Sequence, residues 1–175
     1  FSNEKKDFER KDIISILGDS VTISAGGYHN RDHQISFLRA DDNNCFANFH
    51  VISQIDESDG YILFDFGSSR IDLHSYLIRS NGEASSSYAH PKTWRIEGSN
   101  NKLEWQLLDR RINDSSLNGR FYQNKFICQF NSHGEKNSYR YIRYSQKENW
   151  LNDCRFNYRI CLSHFELYGD IFNNN

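Results

Sequence analysis

The sequence lacks the features that mark several large classes of protein. Its 21 Lys and Arg against 23 Asp and Glu give a net charge of −2, without the basic surplus of a nucleic-acid-binding surface. No apolar run reaches the roughly 18 residues of a membrane-spanning helix. The chain opens at Phe1 without a signal-peptide pattern, and we expect it to be part of a longer protein.

Enzyme signatures are also missing. No GxSxG elbow of a serine hydrolase occurs. No P-loop or GxGxxG motif occurs either, and Ala25-Gly26-Gly27 is too short to cradle phosphates. His29 and His33 have HxxxH spacing, but without an HExxH motif or a helical context this is a weak indication of zinc. We therefore expect a protein that is not an enzyme and has no catalytic residues.

The four cysteines, Cys45, Cys128, Cys154 and Cys161, form no CxxC motif. Their pairing cannot be deduced from spacing, because four cysteines allow three connectivities. Cys154 and Cys161 with His164 lack the spacing of zinc ligands, which favours a place in the core. We expect buried free thiols in a reducing compartment, with disulfides as the alternative.

Aromatic residues are abundant instead, with 13 Phe, 10 Tyr and 3 Trp. Such side chains suit the pleated, half-buried surface of a sheet. The clearest strand runs from Tyr61 to Phe66 and is closed by Gly67. Trp94 and Trp105 lie in apolar-patterned segments, so both are predicted to be core residues. Other strands are predicted over 21–24, 45–55, 71–79, 94–97, 104–108, 122–130, 139–144 and 160–168.

The first residues follow a different pattern. Charged side chains dominate residues 1–12, and apolar residues then recur at roughly helical spacing. We predict a helix over 7–17 that ends near Gly18 and packs its apolar stripe on the remaining structure. The predicted organisation is a charged lead-in with a short helix over 1–18, a β-sandwich over 19–170 and a tail over 171–175.

The stretch from Tyr61 to Gly169 resembles the discoidin family, also known as the coagulation factor 5/8 type C domains, within the galactose-binding-like sandwiches. Ile62–Gly67 matches the family's W-I-x-x-D-L-G strand and turn, and His90–Asn100, HPKTWRIEGSN, is the most specific match. Other matching segments are Tyr76–Ser80, Tyr139–Arg143 and Leu162–Gly169. The resemblance implies an all-β fold, a discoidin-type jelly-roll sandwich of antiparallel strands with a short N-terminal helix.

The sequence departs from the family in two ways, one of which bears on the cellular compartment and the other on calcium binding. Many secreted members close the sandwich with a disulfide near both termini, whereas these cysteines do not bracket the domain. Some carbohydrate-binding members hold a structural calcium ion with a Glu in the last strand, a position occupied here by His164, with Glu166 two residues on. Asp41–Asn44 would offer oxygen ligands. We expect no cofactor, with calcium as the alternative.

Topology predicts which loops meet. Alternate loops of an antiparallel arrangement lie at the same end, so the turn at 67–70 defines one end and the loops 56–60 and 81–90 lie at the other. In the family, the loops corresponding to 25–34 and 147–157 join them. Aromatic faces and polar donors at this end would suit a sugar or a peptide. The predicted ligand-binding residues are Tyr28, His29, Arg31, Asp56, Arg79, Tyr88, His90, Asn149 and Trp150.

Several of these residues have a structural alternative. His90 precedes Pro91 and could brace a turn. Trp150 could cap the core, because tryptophan is usually highly buried. Arg79 could pair with Glu83 or Asp56.

HPKTWRIEGSN and the lead-in resemble an intracellular branch of the family in which the discoidin domain follows a BTB-type or other interaction domain. This implies a cytoplasmic binding module with protein partners in a multidomain or cytoskeletal assembly. The alternative is a galactose-type carbohydrate-binding lectin, motivated by the aromatic and basic loops. Neither nucleic acid nor a membrane span is expected.

Overall fold

The computed structural model describes residues 11–26, 60–82, 90–151 and 160–173. Within these ranges the chain forms one short α-helix, two 3-10 turns and eight strands. The helix is α1 (Ile13–Leu17), and the 3-10 turns are Gly18–Ser20 and Glu135–Asn137. The strands are β1 (Thr22–Gly26), β2 (Gly60–Asp65), β3 (Ser69–Ser80), β4 (Pro91–Ser99), β5 (Gln106–Arg111), β6 (Gln123–Ile127), β7 (Tyr141–Asn149) and β8 (Leu162–Asn173).

The strands form two antiparallel sheets. Five strands pair in the order β1-β2-β7-β4-β5, and three pair in the order β6-β3-β8. Side chains of both sheets meet in a common core, because alternate residues along each strand point to the same face. The predicted all-β sandwich of antiparallel strands with a short N-terminal helix is confirmed.

The core is rich in aromatic rings. Phe165 of β8 lies 5.1 Å from the Phe64 ring of β2 and 5.7 Å from the Tyr144 ring of β7, measured between centroids. Trp94 of β4 meets Phe126 of β6 edge-on at 5.2 Å. These ring pairs join the two sheets, and offset or edge-on contacts of this kind stabilise a fold beyond their buried area.

A bulge in β3 explains a break in its apolar pattern. The register against β8 shifts between Leu73 and Ser75. Ile71 and Leu73 face the core before the bulge, and Tyr76 and Ile78 face it afterwards, all fully buried. The extra residue changes the phase of the strand, so strict alternation does not predict its buried face.

Helix α1 begins at Ile13, so the prediction of one helix over 7–17 is wrong at its start. Asp12 has an extended backbone (ψ 127°), and its carboxylate accepts hydrogen bonds from the backbone N–H groups of Ile14 and Ser15. This is the geometry of a helix N-cap. The predicted end at Gly18 is confirmed, while residues 7–10 lie outside the described ranges.

Trp94 is only 1% exposed, which confirms its place in the core, but the same prediction for Trp105 is wrong. Strand β5 begins one residue later, and the half-buried Trp105 donates from Nε1 to the carbonyl of Lys102 at 3.2 Å. Its ring lies 3.9 Å from the guanidinium of Arg143 on the outer face of the five-stranded sheet. A cation–π contact therefore holds this tryptophan outside the core.

Cys128 and Cys161 are both buried. Burial raises the pKa of the Cys128 thiol, which keeps it protonated and unreactive. Cys45 and Cys154 lie outside the described ranges. Among the helices of the described residues, none is long and apolar enough to cross a membrane.

Candidate functional site

One end of the sandwich, called here the loop end, includes the termini of six strands that border three connections. Strands β1, β3 and β7 finish there at Gly26, Ser80 and Asn149, and β2, β4 and β8 start there. The connections 27–59, 83–89 and 152–159 therefore leave from and return to this end, although their structure lies outside the described ranges. This is the end that the topological argument selects.

The segment 112–122 also lies at the loop end and was missed by the sequence analysis. It follows β5, whose last residues pair with the start of β4. Backbone hydrogen bonds join Asp114 N to the Lys92 carbonyl and Phe121 N to the Asn81 carbonyl. Counting strand directions one step further would have found it, because a strand antiparallel to β4 must finish where β4 begins.

His90 is the most informative of the predicted site residues. It is 8% exposed, and its carbonyl accepts a 3.0 Å hydrogen bond from Trp150 N. Burial lowers the pKa of the imidazole, and a hydrogen bond with the Asn118 side chain opposes that change. Its Nε2 atom has no hydrogen-bond partner among the described residues. A neutral imidazole with one unused nitrogen is suited to bond a polar ligand group.

Asn149 and Trp150 lie beside His90 because β7 pairs with β4, with Asn149 opposite Pro91. The Asn149 side chain accepts a hydrogen bond from Leu151 N at 3.0 Å, which shapes the turn after β7. Trp150 Nε1 donates to the Asp114 carbonyl at 3.2 Å, so the ring is anchored to the segment 112–122. Trp150 remains half-buried and therefore partly open to solvent.

Arg79 differs from these three residues. It is only 5% exposed, and its Nε donates to the Ser163 hydroxyl at 3.0 Å, which links β3 to β8. This hydrogen bond has a structural role, and a side chain buried to this extent has little surface left to contact a ligand. The structure thus brings together His90, Asn149 and Trp150. The other predicted site residues, Tyr28, His29, Arg31, Asp56 and Tyr88, lie outside the described ranges.

A groove of about 380 Å³ lies next to the loop end, over β4, β5 and β7. Its lining includes the cationic side chains of Lys92, Arg95, Arg110 and Lys147. Lys92 Nζ also lies 5.1 Å from the centroid of the Trp150 ring, which connects this groove with the loop end. The groove has a basic character despite the overall negative charge of the chain.

The residues at the expected calcium position do not fit that ion. His164 offers an imidazole where the family uses a carboxylate, and its Nε2 lies 2.8 Å from Glu166 Oε1. The other carboxylate oxygen of Glu166 accepts a hydrogen bond from the Tyr168 hydroxyl. Calcium requires several oxygen ligands, whereas these groups bond one another. Asp41–Asn44 lie outside the described ranges.

Comparison with solved structures shows the same fold. The C-terminal domain of a chitobiase from Bacteroides fragilis matches with a TM-score of 0.59 and 12% identity, covering 89% of this chain and 97% of that one. A chitosan-binding module from a Paenibacillus chitosanase/glucanase gives 0.56 and 15%, covering 87% and 98%. CpGH89CBM32-5 from Clostridium perfringens, solved with GalNAc-β-1,3-galactose, gives 0.58 and 7%, covering 86% and 96%.

These identities are low, so the likeness establishes the fold and nothing more. No family model and no curated protein matches the sequence. The intracellular, BTB-associated branch receives no support from the comparisons. The shared architecture is a sandwich of antiparallel strands, and one of the structures that has it is named as a CBM32 module.

Proposed function

We propose that this chain is a non-catalytic carbohydrate-binding module that holds a glycan at the loop end. The observation that carries the proposal is the unused Nε2 atom of the buried His90, beside the partly open ring of Trp150. A sugar offers hydroxyl groups that bond an imidazole nitrogen, and its C–H faces pack on aromatic rings. Both requirements are met within one small region.

The rigidity of this region supports the proposal. The bond from Trp150 N to the His90 carbonyl joins the backbone at the start of β4 to that at the end of β7, and the bond from Trp150 Nε1 to the Asp114 carbonyl fixes the Trp150 ring. Groups held in place before binding lose little conformational freedom when the ligand arrives. Sugar hydroxyl groups give up hydrogen bonds to water when the sugar binds. A small loss of conformational freedom therefore matters more for a sugar than for an apolar ligand.

Structural relatives favour a glycan over a protein partner. One relative is a chitosan-binding module, and another was solved with a disaccharide in place. The cytoplasmic protein-interaction role predicted first has no comparable support. The basic groove beside Lys92 and Trp150 makes glycans with acidic substituents worth including among the ligands tested.

The test is a glycan array that contains neutral and acidic glycans, followed by titration calorimetry with the best ligand. We expect binding by the wild-type chain. His90→Ala should weaken that binding by roughly two- to tenfold, because one hydrogen bond to a neutral partner is worth about 0.5–1.5 kcal/mol. Trp150→Ala should weaken it further through loss of the aromatic surface.

His133→Gln is the matched control, since His133 is half-exposed and lies far from the loop end. This variant should bind the glycan as the wild type does. An array without any bound glycan, in the presence and absence of calcium, would contradict the proposal. Equal affinity of the His90→Ala and wild-type chains would exclude the loop end as the site.

A further inference from the structure

A second group of side chains lies on the outer face of the three-stranded sheet, near the start of β3. Asp72 and His74 belong to β3, Asp170 lies opposite Asp72 on β8, and His133 precedes the 3-10 turn at Glu135–Asn137. We call the four residues Asp72, His74, His133 and Asp170 the Asp72 cluster. It occupies the opposite end of β3 from Ser80 and the loop end, and the glycan-binding proposal makes no use of it.

The coordinating atoms of the Asp72 cluster are close together. His133 Nδ1 lies 3.1 Å from Asp72 Oδ1, and His74 Nε2 lies 3.3 Å from both Asp72 Oδ2 and Asp170 Oδ2. One coordinating atom from each of Asp72, His74 and His133 can be chosen so that all three lie within 4.8 Å of one another. Bonds of about 2.0–2.2 Å to a tetrahedral ion place neighbouring ligand atoms roughly 3.3 Å apart. The His133–Asp72 and His74–Asp72 distances match this spacing, although they involve different oxygens of Asp72, and the three ligand atoms taken together lie within 4.8 Å.

We propose that the Asp72 cluster binds a divalent transition-metal ion of the zinc type. Asp72, His74 and His133 supply three ligands, and the half-exposed Asp170 is placed to complete the site. Imidazole nitrogen suits zinc and its neighbours in the first transition row, whereas calcium and magnesium prefer oxygen ligands throughout. The donor set thus selects the class of metal.

The surroundings hold the central carboxylate in one orientation. Asp72 is 1% exposed, and its Oδ1 accepts a 2.7 Å hydrogen bond from Asn131 Nδ2. Its Oδ2 accepts a 2.6 Å bond from Gly134 N. The His74 carbonyl accepts from Cys128 N at 2.9 Å, which fixes the backbone beneath that imidazole. Outer contacts of this kind orient ligands in metal sites.

A bound ion would tie the segment around His133 to two strands of the sheet. Without an ion, the same imidazoles can donate hydrogen bonds to Asp72, which is the competing explanation of the geometry. The two explanations differ in what zinc does to the protein. A metal site gains stability as zinc is added, because an ion that binds only the folded chain shifts unfolding by mass action.

The experiment is titration calorimetry of the EDTA-treated, dialysed chain with zinc sulfate, together with thermal melts in zinc, calcium or magnesium. We expect one strongly bound zinc ion and a higher melting temperature in zinc alone. His133→Gln and His74→Gln should each weaken zinc binding at least about tenfold, a loss that even outer-sphere changes can produce in metal sites. Co²⁺ in place of zinc should give the visible absorption of a tetrahedral ion, and the two variants should lose it.

His90→Ala is the control and should bind zinc as the wild type does. Because His133 is half-exposed, His133→Gln is expected to fold, which melts in EDTA will verify. Equal zinc affinity of the wild type and both variants would overturn the proposal. A melting temperature raised by calcium and not by zinc would overturn the assignment of metal class. His133→Gln should still bind the glycan, so a failure of the zinc proposal can be told apart from a failure of the glycan proposal.

Discussion

The Tyr76 hydroxyl of β3 donates a 2.7 Å hydrogen bond across the sandwich core to the Asp109 carboxylate of β5. It also accepts a 2.9 Å bond from Trp94 Nε1, and Asp109 takes a second bond from Arg111 Nε at 2.8 Å. Asp109 and Tyr76 are fully buried. Burial, together with the nearby Asp109 carboxylate, raises the pKa of Tyr76 well above its usual value, so this hydroxyl remains a donor. One polar chain thus links the two sheets.

Removal of that hydroxyl tests the link. Tyr76→Phe should lower the free energy of unfolding by about 1–3 kcal/mol, because it leaves Trp94 Nε1 without its acceptor and removes one donor from Asp109. Urea unfolding followed by circular dichroism measures the change. Tyr122→Phe, which removes the same atom from a 55% exposed residue, should change stability by less than about 0.5 kcal/mol. Similar losses for both variants would contradict a special role for the Tyr76 bond.

The two tryptophans that sequence reasoning treated alike should behave differently. Trp94→Phe should cost roughly 2–4 kcal/mol, because it creates a cavity and removes the donor to Tyr76. Trp105→Phe should cost less than about 1 kcal/mol, since the half-buried ring mainly covers Arg143. Chemical unfolding of the two variants under the same conditions gives the comparison. A larger loss for Trp105→Phe would place that ring in the core after all.

Stability should also depend on pH through His90. Burial lowers the pKa of His90 in the folded chain below its ordinary value of 6.5. The unfolded chain therefore takes up a proton more readily, so this contribution to stability is present above about pH 6.5 and is lost as the pH falls below it. Urea midpoints at pH 7.5 and pH 5 should differ more for the wild type than for His90→Asn. Identical pH dependence of the two proteins would contradict this origin.

Close contact between β3 and β8 should make Gly169 hard to replace. A Cβ atom at this position would lie 2.0 Å from the backbone oxygen of Asp72, which cannot move without disturbing the strand pair. Gly169→Ala should therefore cost roughly 1–3 kcal/mol or more, as measured by urea unfolding.

Gly18→Ala is an informative control for that variant. Gly18 has a φ of +52° but nothing within 4 Å of the added atom. Its cost should be limited to backbone strain of about 1–2 kcal/mol. A smaller loss for Gly169→Ala than for Gly18→Ala would mean that β8 can shift away from β3.

Much of the fold is predictable from short-range patterns of apolar residues and glycine in the sequence. The alternation from Tyr61 to Phe66 and the glycine after it define β2, and Trp94 marks the buried face of β4. Where the prediction failed, one local interaction was responsible. The Asp12 side chain starts the helix later than apolar spacing indicates, and a contact with Arg143 holds Trp105 on the outer face. The Asp12 cap is local and could have been recognised from the residues that follow it, whereas Arg143 is distant from Trp105 in sequence and only the fold brings the two together.

The candidate site was less accessible to sequence reasoning. Strand direction alone selects the end where His90, Asn149 and Trp150 lie, but it does not reveal that Arg79 is enclosed between β3 and β8. The Asp72 cluster was not predicted at all. Its members come from β3, from β8 and from the segment before β7, so only the folded register brings them together.

The three connections 27–59, 83–89 and 152–159 join the described framework at strand termini. Their sequences can therefore diverge without altering the paired registers beneath them, in the way that antibody frameworks tolerate new hypervariable segments. Grafting 27–59, 83–89 and 152–159 from a relative of known ligand onto this framework should carry that relative's preference with it. The sandwich would then serve as a constant scaffold on which the connections, and the ligand preference with them, can be exchanged.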